Sequence, residues 1–270
     1  FLRISRAFLR ISPFMAETLN LEKILACPKC HTRLNNPKSN GKCPKCNFTF
    51  KKEAGIWHLL YTPNRQTAKS LGQYDQMHQQ DFGGPNDGSY EILASIASGN
   101  KTVDIASGQG LIEKLAPETV AVEFSKNALI KAKKNGAKYL VLADAHALPF
   151  QNNSFDVAIC AGSLEHFANP QKAISEMARV SKIQVMTVHR PLPIPFGKQV
   201  HDISSILLKI KHQPIEKPLY PQEVEKMCQK AKVHVVFKGV WTIPVNYGKV
   251  LPHLPVLQKI PACSFIISVK

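Results

Sequence analysis

The stretch KTVDIASGQG, residues 101–110, changes character halfway along. Thr102 to Ile105 has the composition of a short strand buried on both faces. Two glycines follow, Gly108 and Gly110, and LIEKLA (111–116) then opens a helix. A strand passing through a glycine turn into a helix lets backbone N–H groups and a helix N-terminus approach a ligand closely. Many nucleotide-binding folds share that turn, so the ligand has to be read from its neighbours. The third glycine position of a dinucleotide fingerprint holds Glu113. A negative charge there would oppose a pyrophosphate, which favours a cofactor without phosphate.

Outward from this turn, strand and helix alternate. TVAVEFS (119–125) reads as a second strand and KNALIKAKKNG (126–136) as a helix stopped at Gly136. KYLVLADAHALPF (138–150) is a third strand with its loop, and FDVAICAGSLEHF (155–167) a fourth. NPQKAISEMARVSK (169–182) is a helix capped by Asn169 with Pro170 in its first turn, and IQVMTVH (183–189) a fifth strand. KPLYPQEVEKMCQKA (217–231) is a helix beginning near Pro221, and HVVFKGVWTIPV (234–245) and ACSFIISVK (262–270) are a last strand pair. Alternation at these intervals makes a doubly wound, mostly parallel α/β sheet. Glu123 closes the second strand, nineteen residues after Asp104. A carboxylate there can accept hydrogen bonds from both hydroxyls of a ribose.

From Val103 to Val180 the chain resembles the class I S-adenosylmethionine-dependent methyltransferases of the broad type 11 group. That resemblance implies a Rossmann-like, seven-stranded sheet with S-adenosyl-L-methionine as cofactor. It implies that Asp104, Gly108 and Gly110 line the methionine end, with Ala106 in place of the motif's first glycine. Glu123 would hold the ribose, and Asp144 with the backbone of Ala145 the adenine. Ala161 and Gly162 would lie beside the sulfonium, and Tyr74 on a helix closing over the cofactor. RVSKIQVMTVH (179–189) lacks the Pro-Gly-Gly turn that usually precedes the fifth strand, which leaves that strand's start open. His166 is the best placed base if the acceptor must lose a proton, with Glu165 as a carboxylate that could orient it. Packing against the sheet is the alternative for the histidine, and plain exposure for Glu165.

CPKCHTRLNNPKSNGKCPKC, residues 27–46, places Cys27, Cys30, Cys43 and Cys46 at C-x2-C-x12-C-x2-C. Two knuckles of that spacing supply four thiolates for tetrahedral Zn2+. A closed four-sulfur site is structural: it folds a module too small to bury a sufficient core. The following FTFKKEAGIWHLLY (48–61) reads as a strand, a turn at Gly55 and an apolar run that docks on the next domain. The module resembles the zinc ribbons ahead of some methyltransferases. One such family methylates a guanine of large-subunit ribosomal RNA, but there the last ligand is usually a histidine at wider spacing.

The domain reading is then a zinc ribbon over 23–62 and a methyltransferase domain over 63–270. HRPLPIPFGKQVHDISSILLKIKH (189–212) begins a lid-like insertion around 189–215, and its apolar content points to a partly hydrophobic acceptor. Residues 1–22 are an N-terminal extension. FLRISRAFLRISPF (1–14) repeats at a period of seven, with three arginines and no acid. It reads as sequence outside the fold ahead of Met15, with an organellar presequence as the alternative.

The formal charge of +16 is concentrated at the two ends: +7 over residues 23–62 and +9 over 182–270, against −1 over 63–181. Basic ends suit an anionic partner, RNA included, or simple solubility. No aromatic residue lies between Cys27 and Cys46 to stack on a base. The absence of any run of about 20 apolar residues argues against a membrane span, and no export signal precedes the cysteines, so a cytoplasmic location is expected. Three functions follow in order: a methyltransferase acting on a small-molecule substrate, an RNA base methyltransferase, and a non-catalytic adaptor. The sequence leaves the oligomeric state open.

Overall fold

A computed structural model describes residues 19–34, 37, 39–80, 88–189, 213–217, 219–241 and 263–270. The extension over 1–14 and most of the lid-like insertion lie outside the described residues. The elements in chain order are α1 (Leu21–Ile24), β1 (Asn40–Lys42), β2 (Thr49–Glu53), β3 (Ile56–His58), α2 (Arg65–Met77) and α3 (Ser89–Ala97). They continue with β4 (Thr102–Ile105), α4 (Leu111–Leu115), β5 (Val120–Glu123), α5 (Lys126–Lys134), β6 (Tyr139–Leu142) and β7 (Phe155–Ala161). A single 3-10 turn, Leu164–His166, precedes α6 (Pro170–Val180), β8 (Ser181–His189), α7 (Pro221–Lys230), β9 (His234–Trp241) and β10 (Cys263–Val269).

Among the described residues the strands form one sheet in the order β1-β2-β3-β6-β5-β4-β7-β8-β10-β9. The run from β6 to β8 is parallel, and β10 pairs antiparallel with both β8 and β9. These are the seven strands of the expected doubly wound sheet. β4 and β5 are buried at every position, which is why each reads as an apolar run rather than an alternating pattern. Chain order reverses direction around β4, with β5 on one side and β7 on the other. The crevice at the carboxyl ends of these strands is where such a sheet binds ligands.

The remaining three strands belong to the cysteine module. β1, β2 and β3 form an antiparallel meander, and β3 pairs in parallel with β6 through Ile56–Leu140, Trp57–Val141 and His58–Leu142. The apolar run after Gly55 therefore docks as a strand, extending the sheet. One hydrophobic core runs through both parts, joining Cys27, Leu34, Phe50 and Trp57 to Val141, Phe150, Phe155 and Met177. Trp57 is 1% exposed and its ring meets Phe50 at 6.4 Å.

The fifth strand of the methyltransferase sheet, β8, begins with no intervening turn. Ser181 is both the C-cap of α6 and the first residue of β8, and its hydroxyl donates to the carbonyl of Met177 at 2.8 Å. That bond satisfies a carbonyl left over at the helix end, so no glycine turn is needed. At the other end of α6 the Asn169 side chain accepts from Lys172 N and Pro170 occupies the first turn, as the sequence pattern requires.

Candidate active site

A cavity of about 280 Å³ opens at the carboxyl ends of β4 to β7. Its floor is the glycine turn. Ala106, Gly108 and Gly110 all have positive φ, at 60°, 55° and 75°. Ala106 holds a left-handed conformation that glycine adopts without strain. Ala106 and Gly108 line the cavity. Gly110, expected beside them, caps α4 and faces the neighbouring helix instead: a Cβ there would sit 2.8 Å from Ala132 Cβ on α5. Its missing side chain permits helix packing rather than ligand approach.

Glu123 lies at the mouth of β5 with its carboxylate fixed by three backbone donors. Oε1 accepts from Phe124 N at 2.6 Å and Ser125 N at 2.9 Å, and Oε2 from Gly108 N at 2.9 Å. Each carboxylate oxygen takes about two donors, so Oε2 retains one open position. Asp144, in the loop after β6, is held differently. Its Oδ1 accepts from His146 N at 2.9 Å and lies 2.5 Å from His146 Nδ1, while Oδ2 is buried with no hydrogen-bond partner. Asp144 and Ala145 both line the cavity.

Asp104, at the end of β4, is 3% exposed and lies beneath the lining rather than in it. Burial, then the charges of Glu113 and Glu123, push its carboxyl well above the usual range. Glu113 is fully buried on α4, and burial first, with the charge of Glu123 adding to it, pushes it up to about 8. The negative charge expected at Glu113 therefore does not persist at neutral pH, because burial removes the water that would stabilise it. Phosphate is disfavoured on other grounds. Among the described residues the lining contains Glu123 and Asp144 and no lysine or arginine.

The opposite wall comes from β7 and the 3-10 turn. Ala161 and Gly162 line it, with Gly162 N held by Thr187 O at 3.0 Å and Thr187 Oγ1 at 2.8 Å. His166 lines it too, and its Nδ1 is 3.0 Å from the carbonyl of Ile215. A carbonyl only accepts, so Nδ1 carries the proton and Nε2 is left as an acceptor. Glu165 is buried and outside the lining, and the group that orients the His166 ring is the Ile215 carbonyl.

Helix α2 forms the roof. Tyr74 donates to the carbonyl of His166 at 3.2 Å and packs edge-on against Phe124 at 6.2 Å. Burial pushes its phenol up to about 12, so it remains a donor. Asp75, which the sequence did not single out, pins the roof to α5. Its Oδ1 accepts from Ser125 Oγ at 2.8 Å and Asn127 N at 3.0 Å, and its Oδ2 from Asn127 Nδ2 at 2.9 Å. The sequence signal for it was faint: one acid on an otherwise uncharged helical turn facing a Ser-x-Asn cap.

Away from the cavity, Cys27, Cys30, Cys43 and Cys46 gather with all four sulfurs within 4.8 Å of one another and none oxidised to a disulfide. Cys27 Sγ is 3.5 Å from Cys46 Sγ, and Cys30 Sγ 3.5 Å from Cys43 Sγ. Four thiolates at the zinc–sulfur distance of about 2.3 Å have tetrahedral edges of roughly 3.8 Å. The cluster fits such an ion.

Residues 103–186 match the family model described as a methyltransferase domain. A demethylmenaquinone methyltransferase from Renibacterium salmoninarum is 34% identical over 89 residues, covering 31% of this chain and 38% of that protein. A malonyl-[acyl-carrier protein] O-methyltransferase from Buchnera aphidicola subsp. Baizongia pistaciae is 38% identical over 91 residues, covering 32% and 37%. The chain thus spans less than two fifths of the length of these curated relatives. Magnesium protoporphyrin IX methyltransferase from Synechocystis PCC 6803, solved with bound SAH, superposes with a TM-score of 0.52 at 11% identity, covering 76% of this chain and 99% of that one. At that identity the likeness is one of fold.

Proposed function

We propose that this chain, whose residues 103–186 match a methyltransferase domain, is a class I methyltransferase that transfers a methyl group from S-adenosyl-L-methionine to a small organic acceptor. The observation that carries the reading is the cavity's donor set. A preoriented carboxylate at Glu123, an unpartnered carboxylate oxygen at Asp144 and, among the described residues, no lysine or arginine suit a ribose and an aminopurine without phosphate.

When bound, the cofactor supplies a methyl group on a sulfonium sulfur, an excellent leaving group. The chain's own task is then positioning and exclusion of water. Glu123 accepts from one ribose hydroxyl through the open position on Oε2. Asp144 and the Ala145 backbone take the adenine edge, and the turn at Ala106 and Gly108 the methionine end, with Asp104 beneath that turn. Ala161 and Gly162 flank the reacting centre, and Tyr74 on α2 closes over it. His166 Nε2, bare because Nδ1 donates to Ile215, accepts a proton from an acceptor hydroxyl where one must be lost. The four cysteines hold Zn2+ as structure, since four sulfurs leave no open position for chemistry.

A small acceptor is favoured because the two curated relatives are named for a demethylmenaquinone and a malonyl carrier-protein conjugate. RNA is the second reading, supported by exposed Lys29, Lys42, Lys45, Lys51 and Lys52 on the cysteine module. Of its aromatic residues, Phe50 and Trp57 are buried and closed to stacking on bases, while Phe48 and Tyr61 are half-buried and pack edge-on against each other at 6.3 Å. Methyl-labelled cofactor, offered with total RNA beside a deproteinised metabolite extract, separates the two. Label in the metabolite fraction supports the proposal. Label in RNA alone transfers the function to the second reading, and failure to bind cofactor in equilibrium dialysis overturns both.

A further inference from the structure

His146 has no place in the family resemblance, yet it is 2% exposed and bonded at both ring nitrogens. Nε2 lies 3.1 Å from the backbone N–H of Asn169, which can only donate, so Nε2 is the bare nitrogen. Nδ1 therefore carries the proton and donates it to Asp144 Oδ1 at 2.5 Å. The ring also packs edge-on against Phe167, at 5.8 Å, where the wall of the cavity turns into α6.

The consequence falls on Asp144. Two donors from one residue, the His146 N–H and its ring, occupy Oδ1 and fix the carboxylate's rotation. Oδ2 is left buried and unpartnered on a residue that lines the cavity. An unpaired acceptor in that setting favours a ligand with a matching donor and disfavours one without it. Asn169, the N-cap of α6, locks the far side of the ring, so the orientation of Asp144 is keyed to the start of that helix.

We propose that His146 is a positioning residue that aims Asp144 Oδ2 at the exocyclic amine of the cofactor's base, and thereby sets the site's preference for a 6-aminopurine. The inference rests on the reading that Asp144 meets the adenine, and the experiment separates the two. His146→Asn keeps a side-chain donor near the Nδ1 position and loses the acceptor for Asn169. His146→Gln keeps a group near Nε2 and loses the donor to Asp144. Dissociation constants for S-adenosylhomocysteine and for its 6-desamino purine analogue, from calorimetry on folded full-length variants, give a preference ratio for each protein.

The parent is expected to prefer the amino form by at least about tenfold, the ordinary worth of a hydrogen bond to a charged group. The preference should collapse to within about threefold in His146→Gln and survive in His146→Asn. A ratio unchanged in His146→Gln, with Asp144→Ala abolishing it, overturns the positioning role and leaves the Asp144 reading intact. A ratio unchanged in Asp144→Ala overturns both. Should His146→Gln fail to fold, His146→Phe preserves the packing on Phe167 and lacks the same donor, and the same ratio decides.

Discussion

Glu113 offers the sharpest test of the site's electrostatics. It sits on the first turn of α4 with both carboxyl oxygens buried and unpartnered, and its pKa rises from the ordinary 4.5 to about 8. A carboxyl raised on folding contributes stability that is complete below pH 4.5 and is lost as pH rises toward 8, because the unfolded chain ionises first. The whole gap corresponds to about 5 kcal/mol as a ceiling, of which roughly 3 kcal/mol falls between pH 5.5 and 8.5. Glu113→Gln keeps the shape and removes the ionisation. Urea unfolding at pH 5.5, 7 and 8.5 should show the parent weakening with pH by roughly 3 kcal/mol more than the variant, in which the raised carboxyl of Asp104 is still present. At pH 8.5 the variant should melt several degrees higher, since about 1 kcal/mol moves a domain of this size by roughly 2–4 °C. Parallel pH profiles for the two proteins would refute the view that a neutral acid lies under the glycine turn.

Ala106→Gly removes a left-handed alanine from the floor of the cavity and should raise stability by roughly 0.5–1 kcal/mol, visible as a higher thermal midpoint with cofactor affinity retained. Arg179→Met should cost about 3–5 kcal/mol in denaturant unfolding, because it strips the buried Glu176 of its 2.7 Å partner and frees the carbonyls of Leu148 and Phe150. Burial pushes the Glu176 carboxyl up, but the bond and charge of Arg179, with that of Lys172, outweigh it and hold the carboxyl below 4.5. That pair's contribution should therefore be present above pH 4.5 and fade as pH falls through the lowered value. Stripping the metal with a chelator, or Cys43→Ala, should unfold the cysteine module and weaken S-adenosylhomocysteine binding by more than tenfold in calorimetry. Undiminished affinity after metal loss would show the two sites to be independent.

The parallel strands and the glycine turn were legible because their signals are local. β4, β5 and β7 are short apolar runs, and Asn169–Pro170 or Gly136 mark helix ends within a residue or two. Glu123 and Asp144 stand at the cavity for the same reason, each near the end of a readable strand, whereas Asp104, at the end of β4, is buried beneath the lining. What escaped depended on contacts distant in sequence. Helix α3 carries no side-chain cap, its N-cap being Gly88, and the sequence pattern did not single it out. Asp75 acquires its meaning only when α2 lies against Ser125 and Asn127, about fifty residues on. Gly110 was misassigned because a glycine required for packing on Ala132 looks, in sequence, like one required by a ligand. Glu113 was read as charged because burial cannot be seen in a helix of five residues.

The cysteine module's position bears on whether its role is charge or architecture. Its strand β3 lies along β6, and Leu59 N donates to Leu142 O at 3.0 Å, one residue before the loop that carries Asp144 begins. Its first segment grips the other end of that loop: Ala26 N donates to Pro149 O at 2.9 Å, and Gln151 N to Ile24 O at 2.9 Å. The Glu176–Arg179 pair holds the same stretch from α6, through Leu148 N, Leu148 O and Phe150 O. Residues 143–150 are thus fixed on three sides, and two of those sides belong to the cysteine module. A loop that must present one carboxylate oxygen at a set angle needs rigid neighbours. Lys52 lies with its Nζ 5.1 Å over the Trp57 ring, but Lys42 and Lys45 are exposed, and charge could be exchanged at those two positions at little cost to the fold. Replacing Lys42 and Lys45 with glutamine should accordingly leave cofactor affinity unchanged while metal removal lowers it. The opposite pattern would assign the module to binding an anionic partner and deny it a part in holding the loop.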